Sequence, residues 1–131
     1  MLTLPGDKIG QARGMDHCKP PVKMNFHISF AEAFRQLQKS EDDFAVLIEN
    51  GSMRGIIFGP DEIDDQQPHM QDEIYIVMRG TSEFNLQNKV VKTGPGDFLF
   101  VPAGAEHRFF NFTSDLLLWV IFYGPEGGER A

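Results

Sequence analysis

The stretch QPHMQDEIYIVMRG, residues 67–80, brings together side chains that can do chemistry. Gln67 and His69 precede Glu73, and a strand-like run then ends at Gly80. A second imidazole, His107, stands at the head of a later apolar run, HRFF. Two imidazoles and one carboxylate form the facial set that holds divalent iron and leaves coordination positions open. Zinc, manganese, nickel and copper accept the same donors. The residues also allow a metal-free reading, in which His69 and His107 hydrogen-bond to a ligand or to Glu73.

Strands would position these groups. Alternate side chains of a strand share a face, so Glu73, Tyr75 and Val77 look one way and Ile74, Ile76 and Met78 the other. His107, Phe109 and Asn111 share a face in the later strand. If both faces line one interior, Glu73 and His107 stand near the same mouth, within reach of His69 and Gln67. The pattern from residue 44 to 124 is one of short apolar runs cut by turn residues. FAVLIEN and MRGIIFG flank Asn50-Gly51, a hairpin signal because this pair accepts positive φ. EIYIVMR, SEFNLQ, KVVK, DFLFVP, EHRFFNF and LLLWVIFY follow. About eight short strands at regular spacing predict an antiparallel sandwich or barrel such as a jelly roll. Ahead of them, Ser29 and Glu32 fit a capping box, and Phe30, Ala33, Phe34 and Leu37 recur at helical spacing. One short helix is expected at about 30–39, with an acidic loop to residue 43. Residues 1–28 read as an extended arm and 125–131 as a flexible tail.

Composition narrows the function classes. The chain has 131 residues, 41% of them apolar and 12 of them phenylalanine, enough for a hydrophobic core without disulfides. The net charge of −7 argues against a nucleic-acid partner, because phosphate neutralisation needs Lys and Arg. The acidic runs 41–43 and 61–65 read as solvated turns. No apolar run approaches the roughly 18 residues of a membrane span. The single cysteine, Cys18, permits no intrachain disulfide, and MLTLPGDKIG does not read as a signal peptide. A cytoplasmic location is expected.

The run Gly96-Asp97-Phe98-Leu99-Phe100-Val101-Pro102-Ala103-Gly104-Ala105-Glu106-His107-Arg108-Phe109-Phe110-Asn111 resembles the second cupin motif, G-x5-P-x-G-x2-H-x3-N, at all five fixed positions. The opening stretch resembles the first, G-x5-H-x-H-x3,4-E-x6-G, through His69, Glu73 and Gly80. It departs at the first histidine, where Gln67 stands, and seven residues rather than five separate Gly59 from it. The spacer from Gly80 to Gly96 resembles that of small single-domain bacterial cupins. The resemblance implies a double-stranded β-helix with a divalent metal (Fe, Mn, Ni, Zn or Cu) inside the barrel mouth. His69, Glu73 and His107 would be ligands, with Gln67 in the fourth place. It also implies a small-molecule substrate or ligand and a homodimer paired through the arm and sheet edges.

On that reading the protein is a metal-dependent enzyme, dioxygenase-like or isomerase-like, with Glu73 a ligand or a catalytic general base. Tyr75, Phe84, Phe100, Phe109 and Trp119 are candidates to line the substrate pocket, and equally candidates for plain core. The alternative is a non-catalytic cupin that binds or senses a small ligand or a metal. A metal-free cupin of the sugar-nucleotide epimerase-like or carbohydrate-binding kind would need several Arg and Lys in the cavity for phosphates, and is disfavoured, since only Arg54, Arg79 and Arg108 lie near the relevant strands.

Overall fold

The computed structural model describes residues 26–130; the N-terminal arm expected over 1–28 lies almost wholly outside them. One helix, α1 (Phe30–Lys39), is followed by eight strands: β1 (Phe44–Asn50), β2 (Met53–Phe58), β3 (Asp72–Arg79), β4 (Ser82–Leu86), β5 (Lys89–Thr93), β6 (Phe98–Val101), β7 (His107–Phe110) and β8 (Leu117–Tyr123). They form two antiparallel sheets, ordered β1-β2-β8-β3-β6 and β5-β4-β7. Among the described residues, the all-β barrel with a single short helix is the expected fold.

Local chemistry sets the elements. Ser29 Oγ accepts a hydrogen bond from the Glu32 N–H at 3.1 Å, which caps α1. Gly51 turns the first hairpin at φ 59°. Gln87 and Asn88 turn β4 into β5 with φ of 48° and 71°, the backbone of a tight two-residue hairpin. Gly80 ends β3 at φ 85° beneath the Leu116 backbone, where a Cβ would lie 2.7 Å from Leu116 Cα.

Alternation sends one set of side chains between the sheets. Ile56, Phe58, Tyr75, Val77, Phe84, Val101, Phe109, Leu118, Val120 and Phe122 form that core. A second, smaller cluster lies on the outer face of the larger sheet, where α1 covers Ile57 and Leu117 through Ala33, Phe34 and Leu37. Met78 and Trp119 pack there as well. The segment after β8, expected to be a flexible tail, is tied back. Gly127 N–H donates to Met70 O at 2.8 Å, and Glu129 N–H donates to Asp72 Oδ2 at 2.8 Å. Asp72 can hold it because its carboxylate is buried and accepts also from the Ala103 N–H at 2.9 Å. No described helix is long and apolar enough to cross a membrane.

Candidate metal centre

His69, Glu73 and His107 converge from three parts of the chain, each offering a ligand atom within 4.8 Å of the others. Glu73 is the second residue of β3 in the larger sheet, and His107 opens β7 in the smaller one, so the site bridges the two. His69 comes from the loop leading into β3. Its Gly104 neighbour on the other side holds that loop, since the Gly104 N–H donates to His69 O at 2.7 Å.

The tautomer of His107 follows from its partner. Nδ1 lies 2.9 Å from Ala105 O, and a carbonyl only accepts, so Nδ1 carries the proton. In the neutral ring Nε2 is then a lone pair. It faces Glu73 Oε1 at 3.2 Å, with both side chains sealed from solvent. Among the described residues, neither Glu73 oxygen nor His107 Nε2 has a hydrogen-bond partner. Two acceptors pressed together in a buried site require a cation between them, a proton or a metal ion. His69 Nε2 lies 4.0 Å from Glu73 Oε2.

The electrostatics carry the same message. Burial pulls the His69 pKa down, against the pull of Glu73, and the positive charges of His107 and Arg54 lower it further. For His107 burial also opposes charge, but once protonated the ring would donate Nε2–H to Glu73, and this, with the Ala105 carbonyl and the Glu73 charge, leaves the pKa raised. Burial, then the Glu73 charge, hold Tyr75 well above the usual phenol value, so its hydroxyl stays a donor.

The five aromatic candidates divide. Tyr75, Phe84 and Phe109 enclose His107 from behind: their ring centroids lie 4.6 to 5.9 Å apart, and those of Tyr75 and Phe84 are 5.9 and 6.4 Å from the imidazole. They are fully enclosed and form a dry wall. Phe100 and Trp119 sit on the opposite face of the sheet. Phe100 is 46% exposed, because Val101 beside it takes the inward position on β6. Trp119 packs in the helix-covered cluster, because Leu118 and Val120 on either side point into the core.

Gln67 is likewise displaced. It is exposed and lines a depression with Gln66, Pro68, Asn85, Glu106, His107 and Arg108, on the far side of His107 from the His69 cavity in which Gln66 also takes part. The neighbouring glutamine, Gln66, faces the site: its Oε1 is 3.3 Å from His69 Nε2 and accepts from the Tyr75 hydroxyl at 3.1 Å. The cause is Asp64. It was expected among solvated acids, yet it is 2% exposed. Its carboxylate accepts from the Gln66 N–H and from the Phe109 N–H of β7. That clasp pulls Gln66 inward and turns Gln67 out. The sequence signal was an Asp with its acceptor two residues upstream of a glutamine N–H, the spacing of an Asx turn.

A cavity of about 250 Å³ opens beside His69, lined in part by Phe44, Arg54, Ile56, Phe58, Gln66 and Phe122. The Phe122 and His69 rings meet edge to face at 4.8 Å, and the Arg54 guanidinium lies over the Phe122 ring, 4.8 Å from its centroid.

The cupin domain family matches residues 56–123, more than half of the 131 residues. The chain belongs to the cupin family. A curated relative, an uncharacterised protein of Streptomyces coelicolor, is 36% identical over 63 residues, 48% of this chain and 60% of the relative. The match thus spans less than two thirds of that relative's length. Among solved structures, a cupin-2 domain protein of Shewanella frigidimarina superposes with a TM-score of 0.58 at 20% identity, over 72% of this chain and 91% of that one. A chain from the structures of the DMSP lyases RdDddP and RnDddQII gives 0.51 at 28% identity, over 59% of this chain and 41% of that one. The cupin set of His and Glu donors fits a metal here on the chain's own atoms: of the four buried side-chain atoms without a partner among the described residues, three, both Glu73 oxygens and His107 Nε2, belong to this group, and all three are donors of electron pairs.

Proposed function

We propose that this cupin holds a divalent metal on His69, Glu73 and His107 and acts on a small organic molecule, as a dioxygenase-like or isomerase-like enzyme. The observation that carries the reading is the buried pair of facing acceptors, Glu73 Oε1 and His107 Nε2, 3.2 Å apart. A bound metal with open positions would supply Lewis-acid or redox chemistry. The chain's own residues do the rest. Tyr75, Phe84 and Phe109 exclude water behind His107. The Ala105 carbonyl fixes the His107 ring so that Nε2 faces Glu73. Glu73, buried between the two histidines, would be a ligand, or a general base if the histidines mainly hold the metal.

The cavity supports a small substrate. Its volume of about 250 Å³ lies below the range for drug-sized ligands. Its walls are apolar at Phe44, Ile56, Phe58 and Phe122, and Arg54, Asp43 and Asp65 give charged contacts of both signs for a polar end. A chain from the structures of DMSP lyases among the structural neighbours is in keeping with a small-molecule substrate. The reading includes a homodimer, supported by Phe98 and Phe100 on the edge strand β6, 62% and 46% exposed.

Metal content of purified protein, reloaded under anaerobic conditions and compared with His107→Ala, tests the reading. About one equivalent bound by wild type and lost in the variant is expected. Absence of metal from both would sink it and leave the three residues as a polar pocket.

A further inference from the structure

We propose that Gln66 is a fourth ligand of this centre, and that Asp64 is the positioning residue that turns its carboxamide oxygen toward the metal. The inference rests on the metal-binding reading above and adds to it a residue outside the motif position.

An ionised carboxylate only accepts hydrogen bonds, and a carboxamide has one donating and one accepting end. Asp64 Oδ2 lies 3.0 Å from Gln66 Nε2, and Asp64 Oδ1 lies 3.2 Å from the Gln66 backbone N. Oδ2 also accepts from the Phe109 N–H at 2.8 Å, which fastens Asp64 to β7. A flipped carboxamide would set its oxygen against a buried carboxylate. The NH₂ end therefore faces Asp64, and Oε1 faces the site. There the Tyr75 hydroxyl donates to it at 3.1 Å and occupies one lone pair. The other looks toward His69 Nε2, 3.3 Å away.

That separation is informative. Two donors on one metal, each at about 2.0 to 2.2 Å and at roughly right or tetrahedral angles, lie about 2.8 to 3.6 Å apart. Gln66 Oε1 to His69 Nε2, at 3.3 Å, and Glu73 Oε1 to His107 Nε2, at 3.2 Å, both have this spacing. As a hydrogen bond the first contact needs a proton on His69 Nε2. As a pair of ligands it needs none.

The consequence is a donor set of two imidazoles and two oxygens in place of three imidazoles and one carboxylate. Imidazole favours copper, nickel and zinc, whereas carboxylate and carbonyl oxygens suit manganese. Gln66 therefore tilts the centre toward the harder ions, and the dry Asp64 clasp keeps that preference from depending on a freely rotating side chain.

Anaerobic titration of metal-free protein with Co²⁺ tests this, reading both affinity and the visible cobalt absorption bands. The variants are Gln66→Met, which keeps the side-chain length without an amide, Asp64→Asn and His107→Ala, with circular dichroism checking the fold. One Co²⁺ bound by wild type, and at least about tenfold weaker binding with shifted bands in Gln66→Met, are expected. Asp64→Asn should weaken binding about 10- to 100-fold with the same band shift, since an asparagine lets the neighbouring carboxamide turn over. Wild-type affinity and bands in Gln66→Met, with binding lost in His107→Ala, would overturn the role of Gln66 and leave the three-residue centre intact. Weakened Gln66→Met beside an unaffected Asp64→Asn would overturn the positioning role alone. No binding by wild type would overturn both the centre and this addition to it. Should Asp64→Asn fail to fold, Gln66→Met still decides on Gln66, and Gln66→His decides on the donor set: it should raise Ni²⁺ affinity relative to Mn²⁺, and an unchanged ratio would overturn the proposal.

Discussion

Replacing Glu73 with glutamine distinguishes the cations that can stand between its carboxylate and His107. In metal-free protein the gap of 3.2 Å holds a proton at low pH and nothing at high pH. The sign follows from His107. Burial disfavours its charge, but the hydrogen bond to Glu73, the Ala105 carbonyl and the Glu73 charge prevail, and its pKa is raised. A raised pKa gives stability that is complete below the unfolded value of about 6.5 and is lost as pH rises through the folded value. Glu73→Gln removes this contribution, so the metal-free variant should melt below wild type at about pH 6. Near pH 9 the order should reverse. There wild type buries a carboxylate with no donor, which costs about 1–3 kcal/mol, while the new amide N–H donates to the lone pair of His107 Nε2. A domain of this size shifts its Tm by about 3–5 °C per kcal/mol, between the values for smaller and larger domains, so the gain is roughly 3–15 °C. In excess metal the variant should lack the stabilisation that wild type gains, about 2.7 kcal/mol at a hundredfold excess over Kd. Scanning calorimetry of metal-free proteins from about pH 6 to 9 measures the effect. A Tm difference of one sign throughout would refute the facing-acceptor argument: negative everywhere means a permanent structural ion pair, and positive everywhere means that His107 never gains its proton.

Three further outcomes follow from the same geometry. The rise in Tm that metal gives wild type should grow from about pH 6 to pH 9, because proton and metal compete for His107 Nε2; a rise independent of pH would place the metal elsewhere. Gly80→Ala should lower stability by about 2 kcal/mol or more, read as an earlier urea midpoint, since φ is 85° and the new Cβ would lie 2.7 Å from Leu116 Cα and 2.9 Å from Leu116 N. Wild-type stability there would show that the Leu116 backbone yields. Trp119→Ala should cost about 2 kcal/mol, less than a fully enclosed Trp, and leave metal affinity unchanged, because Trp119 packs under α1 on the far face of the sheet. Loss of metal binding in that variant would contradict the division of the two faces.

How far a sequence discloses such a site depends on whether the relevant distance is local. Alternation along β3 is local, and it correctly assigns Glu73, Tyr75 and Val77 to the interior. The Asn50-Gly51 hairpin and the Ser29 cap are local too, and both form as their chemistry requires. The faces of β6 and β8 are not local. They depend on pairing: Glu73 opposes Val101, and Tyr75 opposes both Leu99 and Val120. Directly opposed residues share a face, so Val101 and Val120 join Glu73 and Tyr75 inside, and Phe100 and Trp119 are forced outside with Ile74 and Ile76. An aromatic side chain declares a wish for burial but not which of two apolar faces will bury it, and here α1 supplies a second one. The glutamines are the limiting case. Gln66 and Gln67 are chemically identical neighbours in a loop without strand periodicity, so no period assigns one inward and one outward. What separates them is a carboxylate two residues upstream, fastened to a backbone N–H 45 positions away in sequence. The run of acids around Asp64 hides this, because a surface charge and a buried anchor are written with the same letter; only the strand that supplies the Phe109 N–H tells them apart.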